Sequence, residues 1–299
     1  MPDQHPRAAL SPTTLGILCG VAASICWAIG FVAGKHGIVA GLTPPDLAFH
    51  RFVWTGILMV PLVVRAGLRD LGGLGWGRGL VILALAGPPQ ALLNYVGLTL
   101  TPLGHGAVIQ PGSAALGGLL LAFLILHEKL TRTRLIGVAA ILLGLLVLAG
   151  EAVTTIRGSA LAGDLSFAAA GWTWAAFTIC LRGWRTSGLL AAQVVGVLSV
   201  VVYVPFYAIF YGFDHMIAAG LAENLLQLVA QGGFAGLLAL YLFARAVTAL
   251  GAGRASVFPA LVPPMTMLIG FLALGEVPTL PQLVGLVIVV IGFRFALKP

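Results

Sequence analysis

Charge is scarce in this sequence. Only 8% of its 299 residues are Asp, Glu, Lys or Arg, whereas an ordinary soluble domain is about a quarter charged. With 60% hydrophobic residues and a mean hydropathy of +1.06, the chain cannot fold as a soluble globule. Apolar runs of roughly 20 residues, the length that a helix needs to cross ~30 Å of hydrocarbon, recur along it. The runs are continuous rather than alternating, which predicts helices and not a β-barrel.

Cysteines and catalytic motifs are scarce as well. Cys19, Cys26 and Cys180 lie inside apolar stretches, without the paired spacing of a disulfide framework or a metal site. The His-Glu-x-x-His, Gly-x-Ser-x-Gly and Walker patterns are absent, so we predict no enzyme, no metal and no cofactor. An intramembrane enzyme, the alternative from another class, needs a nucleophile or a paired acid and base at membrane depth. The sequence offers only amides, tryptophans and isolated histidines there.

The basic residues indicate topology. A net charge of +7 does not predict a nucleic-acid partner, because Lys and Arg lie in short loops between apolar runs. We predict ten membrane spans, at about 15–37, 44–65, 78–98, 103–126, 134–150, 160–182, 189–211, 222–245, 252–274 and 280–297. With the N-terminus in the cytoplasm, thirteen basic residues fall inside and only Lys35, Arg51 and Arg157 outside. This bias places both termini in the cytoplasm of a bacterial inner-membrane protein.

The second half of the chain repeats the first. At an offset of 148 residues, Phe123, Glu128, Gly137 and Gly144 are among eight residues with identical counterparts, and at 147 Trp27 matches Trp174. We therefore predict two repeats, residues 1–151 and 152–299, each with five helices. Because five is odd, equivalent helices cross the membrane in opposite directions. Inverted repeats of this kind are typical of secondary transporters that work by alternating access.

The ten-span layout resembles a known family. Pro45-Asp46-Leu47-Ala48-Phe49-His50-Arg51-Phe52 at the start of the second helix and the Leu-x-Glu ends of helices four and nine resemble the EamA-type branch of the drug/metabolite transporter superfamily. Within that branch the chain is similar to the YddG-like exporters of aromatic and other neutral amino acids. The resemblance implies a basket-like bundle, with a central cavity lined by helices one to four and six to nine and with helices five and ten at the periphery.

The function that follows is export of neutral or aromatic amino acids, or similar small metabolites, by a carrier that acts as a monomer in the lipid bilayer. A broad-specificity drug or nucleotide-sugar carrier is the alternative within transport. Cationic drugs favour buried acids and nucleotide sugars favour buried Lys or Arg, and the sequence has few of either at membrane depth.

Proline and amide residues in the third helix form the first candidate site. Pro88 and Pro89 interrupt the helix midway, and the freed carbonyls are tolerated at depth only beside protein or cavity water. Gln90 and Asn94 are four residues apart and share a face, with Tyr95 adjoining. This face either binds the ammonium or carboxylate of a substrate or holds helices together.

Helix breaks at matching places in the two halves form the second candidate site. Gln110 and Pro111 lie in helix four, and Phe258, Pro259 and Pro263 lie in its counterpart, helix nine. Paired broken helices indicate a midplane binding site, because their ends present uncompensated backbone dipoles. A kink that only gates the cavity is the alternative.

Aromatic and ionisable residues complete the candidates. Trp27 and Trp174 lie deep inside equivalent helices, as Tyr95 and Tyr241 approximately do, and provide either cation–π walls for an ammonium or ordinary packing. His50 and Arg51 are candidates for titration and for carboxylate attraction. A structural histidine with satisfied hydrogen bonds is the alternative for His50, and an arginine at a helix end often extends to lipid headgroups. Glu128 and Glu276 end helices four and nine and are expected to cap or latch those helix ends.

Overall fold

Helices make up almost all of the described chain. The computed structural model describes residues 11–66, 69–101, 103–149, 159–274 and 278–297. The α-helices are α1 (Pro12–Val39), α2 (Pro44–Ala66), α3 (Trp76–Ala86), α4 (Pro88–Leu100), α5 (Leu103–Leu126), α6 (Arg132–Ala149), α7 (Ser159–Gly183), α8 (Gly188–Phe210), α9 (Asp214–Gln227), α10 (Ala239–Leu250), α11 (Ala252–Ala255), α12 (Val262–Leu274) and α13 (Leu280–Ala296). A π-helix, Leu228–Leu238, joins α9 to α10, and short 3-10 turns cover Leu71–Gly73 and Phe258–Leu261.

Several of these elements are long and apolar enough to cross a membrane. In the described ranges five stretches qualify by length and composition, namely Pro12–Val39, Trp76–Leu100, Ile109–Leu126, Leu190–Phe210 and Asp214–Leu250. The prediction of a multi-pass helical protein is supported to this extent, and the count of ten spans stays a prediction. The predicted boundary between repeats at 151 and 152 lies outside the described residues.

The first helices of the two halves run in opposite directions. Gly16, near the start of α1, lies so close to Ala249 and Leu250 at the end of α10 that an added Cβ would approach them to 2.8 Å. Arg182, at the end of α7, donates to the carbonyl of Thr248 at 3.5 Å. The start of α1 therefore meets the end of α7, as an inverted repeat requires. We call this the basic end of the bundle (Pro12, Leu126, Gly183, Leu250) and the other the opposite end (Val39, Pro44, Phe210, Asp214).

Repeat-equivalent glycines join α6 to α13. A Cβ added at Gly137 would lie 2.7 Å from the Gly292 carbonyl oxygen, and one added at Gly144 would lie 2.9 Å from that of Gly285. Small residues let helix backbones approach closely in membrane proteins, where packing rather than hydrophobic burial drives association. Because Gly137 matches Gly285 and Gly144 matches Gly292 in the sequence repeat, the same contact occurs twice, related by the symmetry of the halves.

The helix breaks differ between the halves. Gly87 separates α3 from α4, with Pro88 and Pro89 in the first turn of α4, where a missing N–H breaks no helical hydrogen bond. Helix nine is interrupted as expected, because Pro259 lies in a 3-10 turn and Pro263 in the first turn of α12.

The expected matching break at Pro111 is absent, since α5 continues through this residue. One proline removes a single backbone donor, whereas Pro259, Pro263 and Pro264 remove three donors within six residues. The helix containing Pro111 therefore retains enough backbone hydrogen bonds to continue.

Candidate functional site

The centre of the bundle holds a cluster of three aromatic rings from α1, α7 and α10. The rings of Trp27 and Trp174 meet edge to face with centroids 5.0 Å apart. Phe243 packs against both, at 5.3 Å from Trp27 and 5.1 Å from Trp174. All three are buried, and among the described residues the indole N–H of Trp174 has no hydrogen-bond partner. The cluster thus combines close packing with one free polar donor.

A row of polar side chains along α9 and the π-helix binds the backbone of α1. Gln231 donates from Nε2 to the carbonyl of Gly30 at 2.7 Å, and Gln227 donates to that of Ala33 at 2.6 Å. Gln227 also donates to Glu223 at 2.7 Å. Sequence analysis did not single out either glutamine or Glu223. The four-residue spacing of 223, 227 and 231 on one helix face was the available signal.

The π-helix in this row is itself notable. Stretches of π-helix are rare and occur frequently at functional sites, and this one covers Leu228–Leu238. It follows α9 directly and continues into α10, which carries Phe243 of the aromatic cluster. The polar row and part of the cluster therefore lie on one continuous helical segment. No sequence pattern used above distinguishes such a stretch from an α-helix.

Arg51 and Tyr95 extend this polar row toward α2 and α4. The hydroxyl of Tyr95 donates to Gln231 Oε1 at 3.3 Å, and Arg51 lies close enough to Tyr95 to interact with it electrostatically. The Arg51 guanidinium stands 5.7 Å from the centroid of the Phe52 ring. Its Nε is buried without a hydrogen-bond partner in the described part of the chain. Arg51 is thus a half-buried cation with donor capacity to spare.

His50 forms a bridge between the halves. Trp54 donates from its indole nitrogen to His50 Nδ1 at 2.9 Å, and His50 Nε2 lies 3.0 Å from Asn224 Oδ1. Since Nδ1 accepts, the proton resides on Nε2, which donates to Asn224. Asn224 in turn donates to the carbonyls of Met216 and Gly220. This arrangement suits a neutral imidazole, the structural role that we considered for this residue.

Two further polar contacts join the halves at the opposite end. Tyr207 of α8 donates a hydrogen bond to Asp46, whose other oxygen accepts from the backbone N–H and the hydroxyl of Thr43 at 2.6 and 2.7 Å. His36, at the end of α1, lies 2.9 Å from the carboxylate of the buried Glu223. Together with His50 and Asn224, these contacts join the two halves at the opposite end.

The remaining predicted substrate residues make local contacts within their own helices. Asn94 donates to the backbone carbonyl of Gln90 in its own helix at 3.4 Å, and Gln90 is buried. Gln110 is half-buried. The hydroxyl of Tyr241 accepts from Arg245 at 3.4 Å.

Phe258 is packed rather than exposed to a cavity. It is fully buried, and its ring lies 4.9 Å from that of Phe293 in α13. Its carbonyl accepts from Ser24 at 2.9 Å, and a Cβ at Gly20 would overlap its ring. Phe258 therefore fixes the broken ninth helix against α1 and α13.

Glu128 lies where the halves meet at the basic end. Its carboxylate is 3.7 Å from Arg134, and a Cβ added at Gly251 or Gly253 would lie 3.3 or 3.0 Å from its oxygens. Gly251 and Gly253 flank the start of α11, so an acid faces a helix N-terminus, a favourable electrostatic arrangement. Its predicted counterpart Glu276 lies outside the described residues.

A cavity of about 980 Å³ opens beside Glu128. Its wall is formed by both halves at the basic end, by Pro12, Leu15, Cys19, Leu126, Glu128, Leu181, Arg182, Gly183, Arg185, Thr186, Ser187, Arg245, Val247, Thr248 and Ala249. We call it the basic-end cavity. Across the described ranges, His, Cys, Asp and Glu side chains form no group of three that could hold a metal ion.

Comparison with known proteins agrees with the geometry. The EamA-like transporter family matches this chain twice, at residues 14–150 and 161–297. A solved structure, described as the crystal structure of a protein, shares the fold, with a TM-score of 0.77 at 17% sequence identity over 95% of this chain and 96% of its own. No curated protein matches the sequence. The two matched copies cover most of the chain, which therefore belongs to the EamA-like transporter family of the drug/metabolite transporter superfamily.

Proposed function

We propose that this protein exports neutral or aromatic amino acids, or similar small metabolites, across the bacterial inner membrane by alternating access, as a monomer. One observation carries the proposal. A cavity lined by both halves opens at the basic end, beside the place where Glu128 meets Gly251 and Gly253, while at the other end the halves are joined by contacts such as that between Asp46 and Tyr207. A carrier open to one side only has this asymmetry.

The inverted repeat supplies the route to the other state. In a carrier of this type the two halves exchange conformations, so that the closed end opens as the open end closes. The closing contacts include the polar pairs His36 with Glu223, His50 with Asn224, and Asp46 with Tyr207. Phe49 also packs there against the rings of Tyr207 and Phe213. A hydrogen bond contributes about 0.5–1.5 kcal/mol net, or about 1.5–3 kcal/mol when one partner is charged, so each of these polar pairs can be broken and formed again when the end opens and closes.

The side chains that we propose to bind an amino acid lie between the two ends of the bundle. Among the residues that the structure describes, the Arg51 Nε, which could bind a carboxylate, and the Trp174 N–H have no hydrogen-bond partner. The aromatic faces of Trp27 and Trp174 suit an ammonium or an apolar side chain. Gln90, Asn94, Gln110 and Tyr241 remain predicted contributors.

Reconstitution tests the substrate. Purified protein in liposomes loaded with unlabelled amino acids is expected to accumulate radiolabelled phenylalanine or leucine by exchange, and Arg51→Gln is expected to weaken this uptake. A nucleotide sugar and a cationic drug serve as competitors from the alternative classes. Exchange of either competitor, with none of any amino acid by a folded protein, contradicts the proposed substrate but not carriage itself.

Cross-linking tests alternating access. In a variant whose three cysteines are replaced, Asp46→Cys and Tyr207→Cys place one thiol on each half at the closed end. Bridging them with a short bifunctional thiol reagent is expected to stop exchange, and reduction is expected to restore it. Undiminished exchange in the bridged protein argues against opening at this end.

A further inference from the structure

Three arginines converge on the basic-end cavity. Arg182 and Arg185 come from the end of α7 and the turn after it, and Arg245 comes from α10. In the part of the chain that the structure describes, none of them forms an ion pair with a carboxylate. Within the described ranges, Arg182 donates to the Thr248 carbonyl and Arg245 to the Tyr241 hydroxyl. All three side chains are exposed, and each guanidinium carries five N–H donors, so donors remain that a ligand in the cavity can bind in place of water.

The acid in the same wall does not neutralise this charge. Glu128 is 3.7 Å from Arg134 and faces Gly251 and Gly253 rather than the three arginines. Like charges that line a concave surface of low dielectric constant reinforce one another's field. The cavity therefore attracts anions.

Neutral donors stand beside the arginines. Thr186 is 6% exposed, and its hydroxyl has no hydrogen-bond partner among the described residues. The adjoining Ser187 caps α8, a helix of 23 residues, by accepting from the N–H of Leu190 at 3.2 Å. The cavity wall thus includes a helix N-terminus, whose dipole favours negative charge.

We propose that the basic-end cavity binds the oxyanion of a ligand, either a carboxylate or a phosphate. Guanidinium groups form bidentate hydrogen bonds with both carboxylates and phosphates. A volume of about 980 Å³ accommodates a whole metabolite or a lipid headgroup, since ligand pockets span about 300–1,000 Å³. Cytoplasmic loops are enriched in arginine for reasons of topology alone. That enrichment does not explain why three unpaired arginines and an unpartnered hydroxyl surround one cavity.

The first experiment measures phosphate binding in detergent, where no transport occurs. Phosphate is not a ligand of the proposed amino acid site, so failure of this experiment is distinguishable from failure of the proposed function. Isothermal titration is expected to show binding of inorganic phosphate, and phenylalanine is expected to compete with phosphate much better than phenylalaninamide does. Arg185→Gln and Arg245→Gln each remove a charge-assisted hydrogen bond. Each is expected to weaken phosphate binding about 10-fold or more. Thr186→Val is expected to weaken it less and to leave the fold unchanged.

Arg132→Gln is the matched control, because Arg132 is an exposed arginine at the same end but outside the cavity wall. It is expected to bind phosphate like the unmodified protein. Equal weakening by Arg132→Gln, or unchanged affinity in both Arg185→Gln and Arg245→Gln, overturns the proposal, as does absence of binding by the unmodified protein.

Nanodiscs separate the two sources of the oxyanion. If phosphate binds several-fold more weakly in phosphatidylglycerol than in phosphatidylcholine nanodiscs, and Arg185→Gln removes that difference, the natural occupant is an anionic headgroup. Equal phosphate affinity in the two lipids identifies a soluble carboxylate or phosphate compound.

Discussion

Trp27 and Trp174 hold equivalent positions in the two repeats, and their rings touch, edge to face, with centroids 5.0 Å apart. Residues related by a two-fold operation meet only where its axis passes between them. This pair therefore marks the pseudo-symmetry axis near the centre of the bundle.

The free indole N–H of Trp174 gives the first prediction. An unsatisfied buried donor costs about 1–3 kcal/mol, so Trp174→Phe removes that penalty along with some packing. We expect its thermal unfolding temperature to stay close to that of the unmodified protein while substrate affinity falls. Trp27→Phe is the control, because the Trp27 nitrogen is not among the buried atoms that lack a partner. Normal amino acid exchange by Trp174→Phe would show that the N–H has no part in binding.

The close packing of Gly30 in α1 gives the second prediction. A Cβ at Gly30 would lie 2.4 Å from that of Ala235 and would push apart the contact in which Gln231 binds the Gly30 carbonyl. Overpacking of this kind costs about 1–3 kcal/mol, so Gly30→Ala is expected to lower thermal stability in detergent. Gly233→Ala, on the facing π-helix, meets nothing within 4 Å and is expected to be neutral. Equal stability of the two variants contradicts this account of α1.

The contact between Asp46 and Tyr207 gives the third prediction. Tyr207→Phe removes the hydrogen bond between the halves and leaves the two bonds from Thr43 to Asp46 in place. A hydrogen bond to a charged group contributes about 1.5–3 kcal/mol, which predicts an increase of about tenfold or more in the population open at this end. The increase is measured as faster labelling of a cysteine placed at the buried position Val53, after replacement of the native cysteines.

Tyr211→Phe is the matched control for that experiment. Tyr211 stacks on Tyr207 with ring centroids 6.0 Å apart but is 46% exposed. Labelling at Val53 that is as fast in Tyr211→Phe as in Tyr207→Phe would mean that general loosening, and not the lost hydrogen bond, exposes the site.

The sequence predicts what depends on local pattern and not what depends on distant pairing. Apolar runs gave the helices, and the repeat gave the equivalence of Trp27 and Trp174. The closing contacts join residues 161 and 174 positions apart, Asp46 with Tyr207 and His50 with Asn224. Nothing local in either segment identifies its partner.

The sequence pattern also did not predict whether a helix continues through a proline. A proline interrupts a helix only when its neighbours do not restore the lost hydrogen bonds. The composition around Pro111 and Pro259 suggested the same outcome for both, whereas the backbone is continuous at the first and broken at the second. The packing of Phe258 against Phe293 and Ser24, which holds the broken segment, was not visible in the sequence.

The turn after α7 gives the fourth prediction. The N–H of Thr186 bonds to the Leu181 carbonyl and that of Arg185 to the Arg182 carbonyl, at 3.0 and 3.2 Å. This is a Schellman motif, and its left-handed position, where glycine is favoured, is occupied by Arg185 with φ of 52°. A left-handed conformation costs a residue with a side chain about 1–2 kcal/mol. Part of that cost is offset because glycine gains entropy when unfolded.

Arg185→Gly is therefore expected to raise the free energy of unfolding by about 0.5–1 kcal/mol, and to weaken phosphate binding in the basic-end cavity. Arg185→Gln is the matched variant, because it removes the same charge and keeps the strained backbone. It is expected to weaken binding equally without any gain in stability. Thermal unfolding and isothermal titration on both variants separate the two effects. A glycine variant that is no more stable than the glutamine variant refutes the strain, whereas one that binds phosphate normally removes Arg185 from the anion site. Both expected results together would mean that a strained arginine is kept at this turn for the ligand that it binds.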